Sequence, residues 1–186
     1  MMPPFERVEL RTERLLLRPV RSGDEPDLFA MFSDPAVMRY WSSTAWTGIE
    51  QAHEYIARDS KVLAAGESLC LGIERMEDSR LIGTCTLFRI SEQCRRAEVG
   101  YALGSDAWGR GYMHEALLAL LEYGFSELGL NRIEADIDPR NQGSARSVER
   151  LGFKKEGHLR ERWIVNGEVS DSAMYGLLRS EWQSRK

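Results

Sequence analysis

Ala97-Glu98-Val99-Gly100-Tyr101-Ala102-Leu103 and, one short turn later, Trp108-Gly109-Arg110-Gly111-Tyr112-Met113-His114-Glu115-Ala116 carry the most structural information in this chain. The first segment is β-rich. From Met113 onward, Leu117, Leu120, Leu121, Phe125 and Leu128 return at intervals of three and four residues, the spacing of one buried helix face, until Gly129 ends the run. A strand therefore leads through a glycine-bearing loop into a helix. At such a junction the unpaired N–H groups of the first helical turn and the positive end of the helix dipole converge, which makes an anion site. Gly109 and Gly111 remove the Cβ atoms that would keep a pyrophosphate from the backbone, and Arg110 adds a charge able to reach phosphates. No Gly-Lys-Ser/Thr follows, so this is not a Walker loop, and the dinucleotide fingerprint lacks its third glycine. On this loop alone, an ordinary strand-to-helix turn explains the pattern as well as an anion site does.

Outward from this core, three β-rich runs, 69–73, 81–90 and 97–103, are separated by short polar turns and predict an antiparallel meander. Leu15-Leu16-Leu17-Arg18-Pro19 predicts an earlier strand. Ser22-Gly23-Asp24-Glu25 and Thr47-Gly48-Ile49-Glu50 both have the form of a capping box. The first precedes a helix carrying Leu28, Phe29 and Phe32; the second precedes one with Ile49, Ala52, Ile56 and Leu63 on one face. Downstream, Arg132-Ile133-Glu134-Ala135-Asp136-Ile137 alternates as a strand does. Asn141 can cap a helix bearing Ala145, Val148 and Leu151, and strand-like stretches at 158–165 and 173–178 close the chain. The class is α+β in a single domain spanning 1–186, with no repeat, linker or low-complexity block to divide it.

The chain of 186 residues is 42% hydrophobic and 29% charged, the composition of a packed globular protein. Its 25 basic and 29 acidic residues are intermixed with a net charge of −4, which gives nucleic acid no basic stripe to bind. Cys70, Cys85 and Cys94 are widely spaced, and His53, His114 and His158 do not stand at ligand spacing beside them, so reduced thiols and no metal are expected. No signal-like or membrane-spanning apolar window is present, which points to the cytoplasm and away from a membrane partner.

Read together, the strand and loop of the opening stretch resemble the acetyl-CoA motif R/Q-x-x-G-x-G/A of the GNAT superfamily of N-acetyltransferases. Trp108 stands at the R/Q position and Met113 at the G/A position, as in the branch resembling ribosomal-protein N-acetyltransferases (RimJ/RimL-like). Asn141-Gln142-Gly143-Ser144 through Glu149-Arg150-Leu151-Gly152-Phe153-Lys154-Lys155-Glu156-Gly157 resembles that branch's second signature. The opening Leu10-Arg11-Thr12-Glu13-Arg14-Leu15-Leu16-Leu17-Arg18-Pro19 and the closing Asn166-Gly167-Glu168, Asp171 and Tyr175-Gly176 match it too. The resemblance implies a mixed, mostly antiparallel, twisted sheet flanked by helices and splayed where acetyl-CoA binds. It also implies acetyl transfer to an amine acceptor, a protein N-terminus or a small molecule, and it admits a homodimer.

On that reading the backbones of Val99 and Tyr101 pair with the pantetheine arm, and Trp108, Gly109, Arg110, Gly111, Tyr112 and Met113 hold the pyrophosphate. Glu98, between apolar neighbours, is the candidate base, directly or through water; its alternative is a cross-strand partner for Arg95 or Arg96. Ser144 matches the branch's serine, which assists the departing thiolate, or else it merely bonds the helix end. The superfamily's usual acid is a tyrosine four residues later, where this chain has Val148, so another proton donor is called for. Asn141 can cap its helix and bond the cofactor at once. Tyr40 and Trp41 can wall the acceptor site or belong to the core. Asp171 can bind the acceptor's ammonium or serve as an ordinary turn carboxylate. No serine or cysteine stands in a nucleophile–base arrangement, so direct transfer in a ternary complex is expected. A non-catalytic acyl-CoA-binding module is the alternative to an enzyme.

Overall fold

The computed structural model describes residue 2 and residues 4–185. In chain order the elements are β1 (Leu10–Arg11), β2 (Leu15–Arg18), α1 (Glu25–Phe32), α2 (Pro35–Met38), α3 (Glu50–Ala64), β3 (Leu69–Arg75), β4 (Arg80–Ser91) and β5 (Arg96–Leu103), then α4 (Tyr112–Ser126), β6 (Arg132–Ile137), α5 (Gln142–Arg150), β7 (Lys154–Val165), β8 (Glu168–Leu178) and α6 (Arg179–Gln183). They build one eight-stranded sheet in the order β1-β2-β3-β4-β5-β6-β8-β7. Every pair is antiparallel except β5–β6. The expected α+β class, with a mixed and mostly antiparallel sheet, is the one that forms.

The register of β3, β4 and β5 gives the sheet two unlike faces. Cross-strand rows Leu69-Leu87-Val99 and Leu71-Cys85-Tyr101 point one way. They pack on the apolar stripe of α4, whose Met113, Ala116, Leu117, Leu120, Leu121 and Phe125 are buried in the same core. The rows Cys70-Thr86-Gly100 and Gly72-Thr84-Ala102, with Phe88 opposite Glu98, point the other way, toward α1 and α3. A second, smaller core joins Leu28, Met31 and Phe32 of α1 to Ala52, Leu81 and Ala102 there.

The parallel β5–β6 pair is only three residues long, Arg96–Glu98 against Arg132–Glu134. Beyond it β6 continues beside β8, pairing Ala135 with Tyr175 and Ile137 with Ala173, while β5 continues beside β4. The sheet therefore opens between Val99 and Ala135, as the family resemblance implies. Salt bridges from Arg96 (2.6 Å) and Arg132 (2.8 Å) to Glu134 pin the closed end.

Neither capping box forms as written. Asp24 is the N-cap residue of α1, but its carboxylate is drawn away by the buried Arg18 guanidinium, which also binds Glu74. At α3 the residue at N-cap is Ile49, and Gln51 rather than Glu50 reaches back to the N–H groups of Thr47 and Gly48. Both helices still begin where expected, because their buried apolar faces, not their caps, hold them. No helix among the described residues is long and apolar enough to cross a membrane.

Candidate active site

The glycine loop supplies the first part of the site. Gly109 and Gly111 have φ of +74° and +78°, the left-handed region that favours glycine, and Gly111 is the N-cap residue of α4. Among the described residues, no protein acceptor is bonded by the N–H groups of Gly109, Gly111, Tyr112, Met113 or His114, and these donors gather at the positive end of a 15-residue helix. The loop is braced from behind. Glu115 accepts hydrogen bonds from the Thr12 hydroxyl (2.6 Å), the Arg14 N–H (2.8 Å) and the Arg14 guanidinium (2.7 Å). Arg14 in turn donates to the Arg110 carbonyl at 3.0 Å and lies over the Tyr112 ring at 4.6 Å. The loop backbone is thus fixed by the turn between β1 and β2.

The open edge of β5 supplies the second part. From Val99 to Leu103 its backbone groups on the β6 side have no strand partner. Asn141 caps α5, its side chain accepting from the Ser144 N–H at 3.0 Å, as its position in sequence suggests. Across the opening, the Tyr101 hydroxyl and Ser144 Oγ share a hydrogen bond of 2.6 Å. Burial pushes the Tyr101 phenol up to about 12. Val148, at the family's tyrosine position, is fully buried in the main core and plays no polar role. The side chain of Tyr101, expected to contribute only backbone, therefore brings a phenol to the neighbourhood that Val148 leaves without one.

A cleft of about 1400 Å³ joins these parts and continues to the opposite face of the sheet. It is larger than the usual single-ligand pocket, with room for two reactants. Glu98, Val99, Tyr101, Trp108, Gly109, Gly111, Tyr112, Met113, Asn141 and Ser144 all line it, as do Tyr40 and Trp41. Trp41 and Trp46 pack around Phe32 with ring centroids 5.8 and 4.7 Å away, and Tyr55 lies 5.6 Å from the same ring. Tyr40 sits at the mouth between the Arg39 and Arg140 guanidinium groups, both of which bind Glu168. Glu98 is 8% exposed, and its partner is neither Arg95 nor Arg96. A bulge in β4 turns Arg89 to φ +50°, and its guanidinium reaches both Glu98 oxygens at 3.1 Å.

Two sequence candidates lie elsewhere. Arg110 is exposed and does not line the cleft; its carbonyl accepts from the Arg14 guanidinium. Asp171 is also outside the cleft. Strand alternation sends its neighbour Ser170 into the wall and Asp171 to the other side, where it binds His158 Nε2 (2.7 Å) and the Glu161 N–H (2.8 Å). It stabilises the β7 bulge between Leu159 and Trp163, where Glu161 has φ +52°.

The sequence profile of the acetyltransferase (GNAT) domain matches residues 14–154. The chain belongs to the GNAT acetyltransferase family. It is similar to the uncharacterized N-acetyltransferase p20 of Bacillus licheniformis, 38% identical over 173 residues that cover 93% of this chain and 97% of that protein. It is also similar, at 24% identity over 185 residues, to the ribosomal protein uS5-alanine N-acetyltransferase of Escherichia coli, with 95% and 93% covered. Among solved structures, a GCN5-related N-acetyltransferase from Brucella melitensis superposes with a TM-score of 0.85 at 26% identity, covering 97% of this chain and 83% of that one. The GNAT acetyltransferase is thus an acyltransferase of an acetyl-CoA-dependent family, and the RimJ/RimL-like resemblance holds.

Several residues around this cleft escape a reading of the sequence. Thr12 and Arg14 stand 103 and 101 positions from Glu115, and only the fold joins them to it. Arg89 gives no signal because a bulge aims it. Asp59 and Tyr55, on the cleft wall from α3, occupy helix positions that read as an ordinary polar face. Among the described residues no three His, Cys, Asp or Glu side chains are grouped to hold a metal ion.

Proposed function

We propose that this single-domain chain acetylates a primary amine, a protein N-terminus or a small molecule, by direct transfer from acetyl-CoA within a ternary complex in the cytoplasm. The observation that carries the reading is the run of unbonded N–H groups at the start of α4, lying beside an open stretch of β5 in one continuous cleft. These features fit the cosubstrate's two halves. The amides from Gly109 to His114 suit a pyrophosphate, and the free edge from Val99 to Tyr101 suits an extended arm bearing amides. His114 Nδ1, buried on the cleft wall and bonded to no described protein atom, is a further polar group for that arm. When bound, acetyl-CoA supplies an activated acyl group and a sulfur leaving group.

The chain's own residues then handle protons. A phenol pushed up to about 12 keeps its proton at neutral pH, so the Tyr101 hydroxyl can donate to Ser144 Oγ. Ser144, fixed by its place in the first turn of α5, can then present its own proton into the cleft. Glu98 is the carboxylate on the acceptor side of β5 able to take a proton from the amine, directly or through water, with Arg89 holding its orientation. No covalent acyl-enzyme is needed. Cys70 and Cys85 are poor nucleophiles because burial holds both thiols well above their ordinary range.

Calorimetric titration with acetyl-CoA tests the cofactor half, with Gly111→Val alongside. A β-branched residue at φ +78° strains the loop and crowds its donors, so saturable wild-type binding should be lost in the folded variant. Equal binding by both proteins overturns the placement. Binding without thiol release to any amine would instead favour a non-catalytic acyl-CoA-binding module.

A further inference from the structure

On the acceptor side of the sheet, the α3 wall ends in a carboxylate that nothing in the reaction above uses. Asp59 is 3% exposed, and its Oδ2 is buried without a hydrogen-bond partner. The groups around it are few. Arg58, whose side chain is 65% exposed, stands 3.6 Å from the other oxygen, and its guanidinium is at the same time stacked 4.9 Å over the Tyr55 ring. The Tyr55 hydroxyl, which with Arg58 favours the ionised carboxyl, and Cys70 face it from the same wall, Thr84 lies beside Tyr55, and all of them line the cleft together with Asp59. Burial holds the Asp59 carboxyl above its ordinary range. A buried carboxylate oxygen without a donor is a cost to the folded protein that a cation would remove. The aromatic rings of Phe32, Trp46 and Tyr55 beside it provide the apolar and π surface suited to the stem of an alkylammonium.

We propose that Asp59 is the anchor for a second, non-reacting cation of the acceptor, and that the preferred acceptor is an alkyl amine carrying such a cation. This rests on the acetyl-transfer reading and deepens it. The geometry sets the length. Asp59 faces Cys70 on β3, and Cys70 lies in one row with Thr86 and Gly100, two strand spacings from the open edge of β5. Two spacings are roughly 10 Å, which after one hydrogen bond leaves a gap bridged by about four or five methylenes. The reacting nitrogen must lose its proton near Glu98 and Ser144. The other keeps its charge on Asp59. An amine with no second charge leaves Asp59 Oδ2 without a partner and forfeits that interaction.

The experiment compares putrescine with n-butylamine, which share a four-carbon chain and differ in the second nitrogen. Acetyl-CoA-dependent thiol release is followed for wild type, Asp59→Asn and Asp59→Glu. Wild type should show a KM for putrescine at least about tenfold below that for n-butylamine. Asp59→Asn should erase the difference while leaving kcat, the KM for acetyl-CoA and the n-butylamine kinetics within about twofold, and Asp59→Glu should recover part of it. Equal use of the two amines by wild type, or a parallel loss for both in Asp59→Asn, overturns the proposal. Direct calorimetric titration of putrescine into wild type and Asp59→Asn reads the same site without turnover. Binding to wild type alone supports the anchor even if no transfer is seen, and no binding to wild type, or equal binding, overturns it. A protein that binds acetyl-CoA and acetylates n-butylamine, but ignores the charge at position 59, sinks this inference and leaves the acetyltransferase reading standing.

Discussion

Tyr101 and Ser144 share a short hydrogen bond in an opening that the sheet would otherwise leave unbridged. Removing only the phenolic oxygen, in Tyr101→Phe, preserves the ring's packing against the main core. If the pair delivers the proton to the leaving sulfur, kcat should fall by about 10- to 100-fold, at the low end of general acid effects, with the KM for acetyl-CoA changed far less. The solvent deuterium isotope effect on kcat should shrink as well. An unchanged kcat would reduce the phenol to a brace for α5. Thiol chemistry offers a second check at this scale. Cys94 is exposed, whereas burial pushes the Cys70 thiol up to about 12 and holds Cys85 higher still. At pH 8 a thiol near 12 is ionised to only about one part in ten thousand, so native protein should give one fast thiol with a disulfide reagent and two slow ones that react on unfolding. Two fast thiols would show that the wall at Cys70 opens readily.

Elements, rather than single residues, set the shape of the phosphate loop. Arg14→Ala removes the guanidinium that ties Glu115 and the Arg110 carbonyl to the β1–β2 turn and braces the Tyr112 ring, while Arg14 does not itself line the cleft. Acetyl-CoA affinity should fall by about three- to tenfold with an unchanged circular dichroism spectrum; retained affinity would mean that the two glycines suffice to shape the loop. Arg18 has a structural part instead. Arg18→Leu leaves the Asp24 and Glu74 carboxylates buried with their principal cation gone, and should cost about 3–5 kcal/mol in urea unfolding. The same elements show what sequence can and cannot reveal. The runs at 69–73, 81–90 and 97–103 and the stripe from Met113 to Leu128 were legible because each buries a regular apolar face, and periodicity is the trace such burial leaves. Strand β1, the short helix α2 and helix α6 are too brief to leave one. The capping boxes misled because Asp24 is taken by Arg18 at the first, and Gln51 rather than Glu50 reaches back at the second. In the site, glycines and the Asn141 cap are local and readable, but Arg14 with Glu115, Arg89 with Glu98, and the facing of Asp59 arise only when remote segments meet. Asp171 failed for the opposite reason: family position placed it, and strand alternation turned it away.

At the scale of the whole molecule, the site and the stability of the fold pull against each other. Asp59 has its folded carboxyl held above the unfolded value of about 3.9, with burial as the main cause and the nearby Arg58 cation only partly offsetting it. Below the unfolded value both states are protonated and the residue is neutral to stability. From the unfolded value up to the folded one, the unfolded chain has given up its proton while the folded carboxyl still holds it, so stability is lost over that window and is constant above it. Asp59→Asn cannot suffer that loss. Its Tm should match wild type well below pH 4 and exceed it at higher pH, by a margin that stops growing once the folded carboxyl is also ionised; a variant less stable at pH 8 would mean that the Arg58 ion pair outweighs the cost of burial. One last consequence follows from the strand order. Beyond its three-residue pairing with β5, β6 continues beside β8, and β8 follows the glycine loop, α4 and β5 in the chain. A polypeptide still emerging from the ribosome can therefore possess the entire glycine loop, α4 and β5 and yet have nothing to hold β6 away from β5. Competence to bind should await residues 168–178, and a stop just before them would yield a chain that carries every loop residue but no cleft.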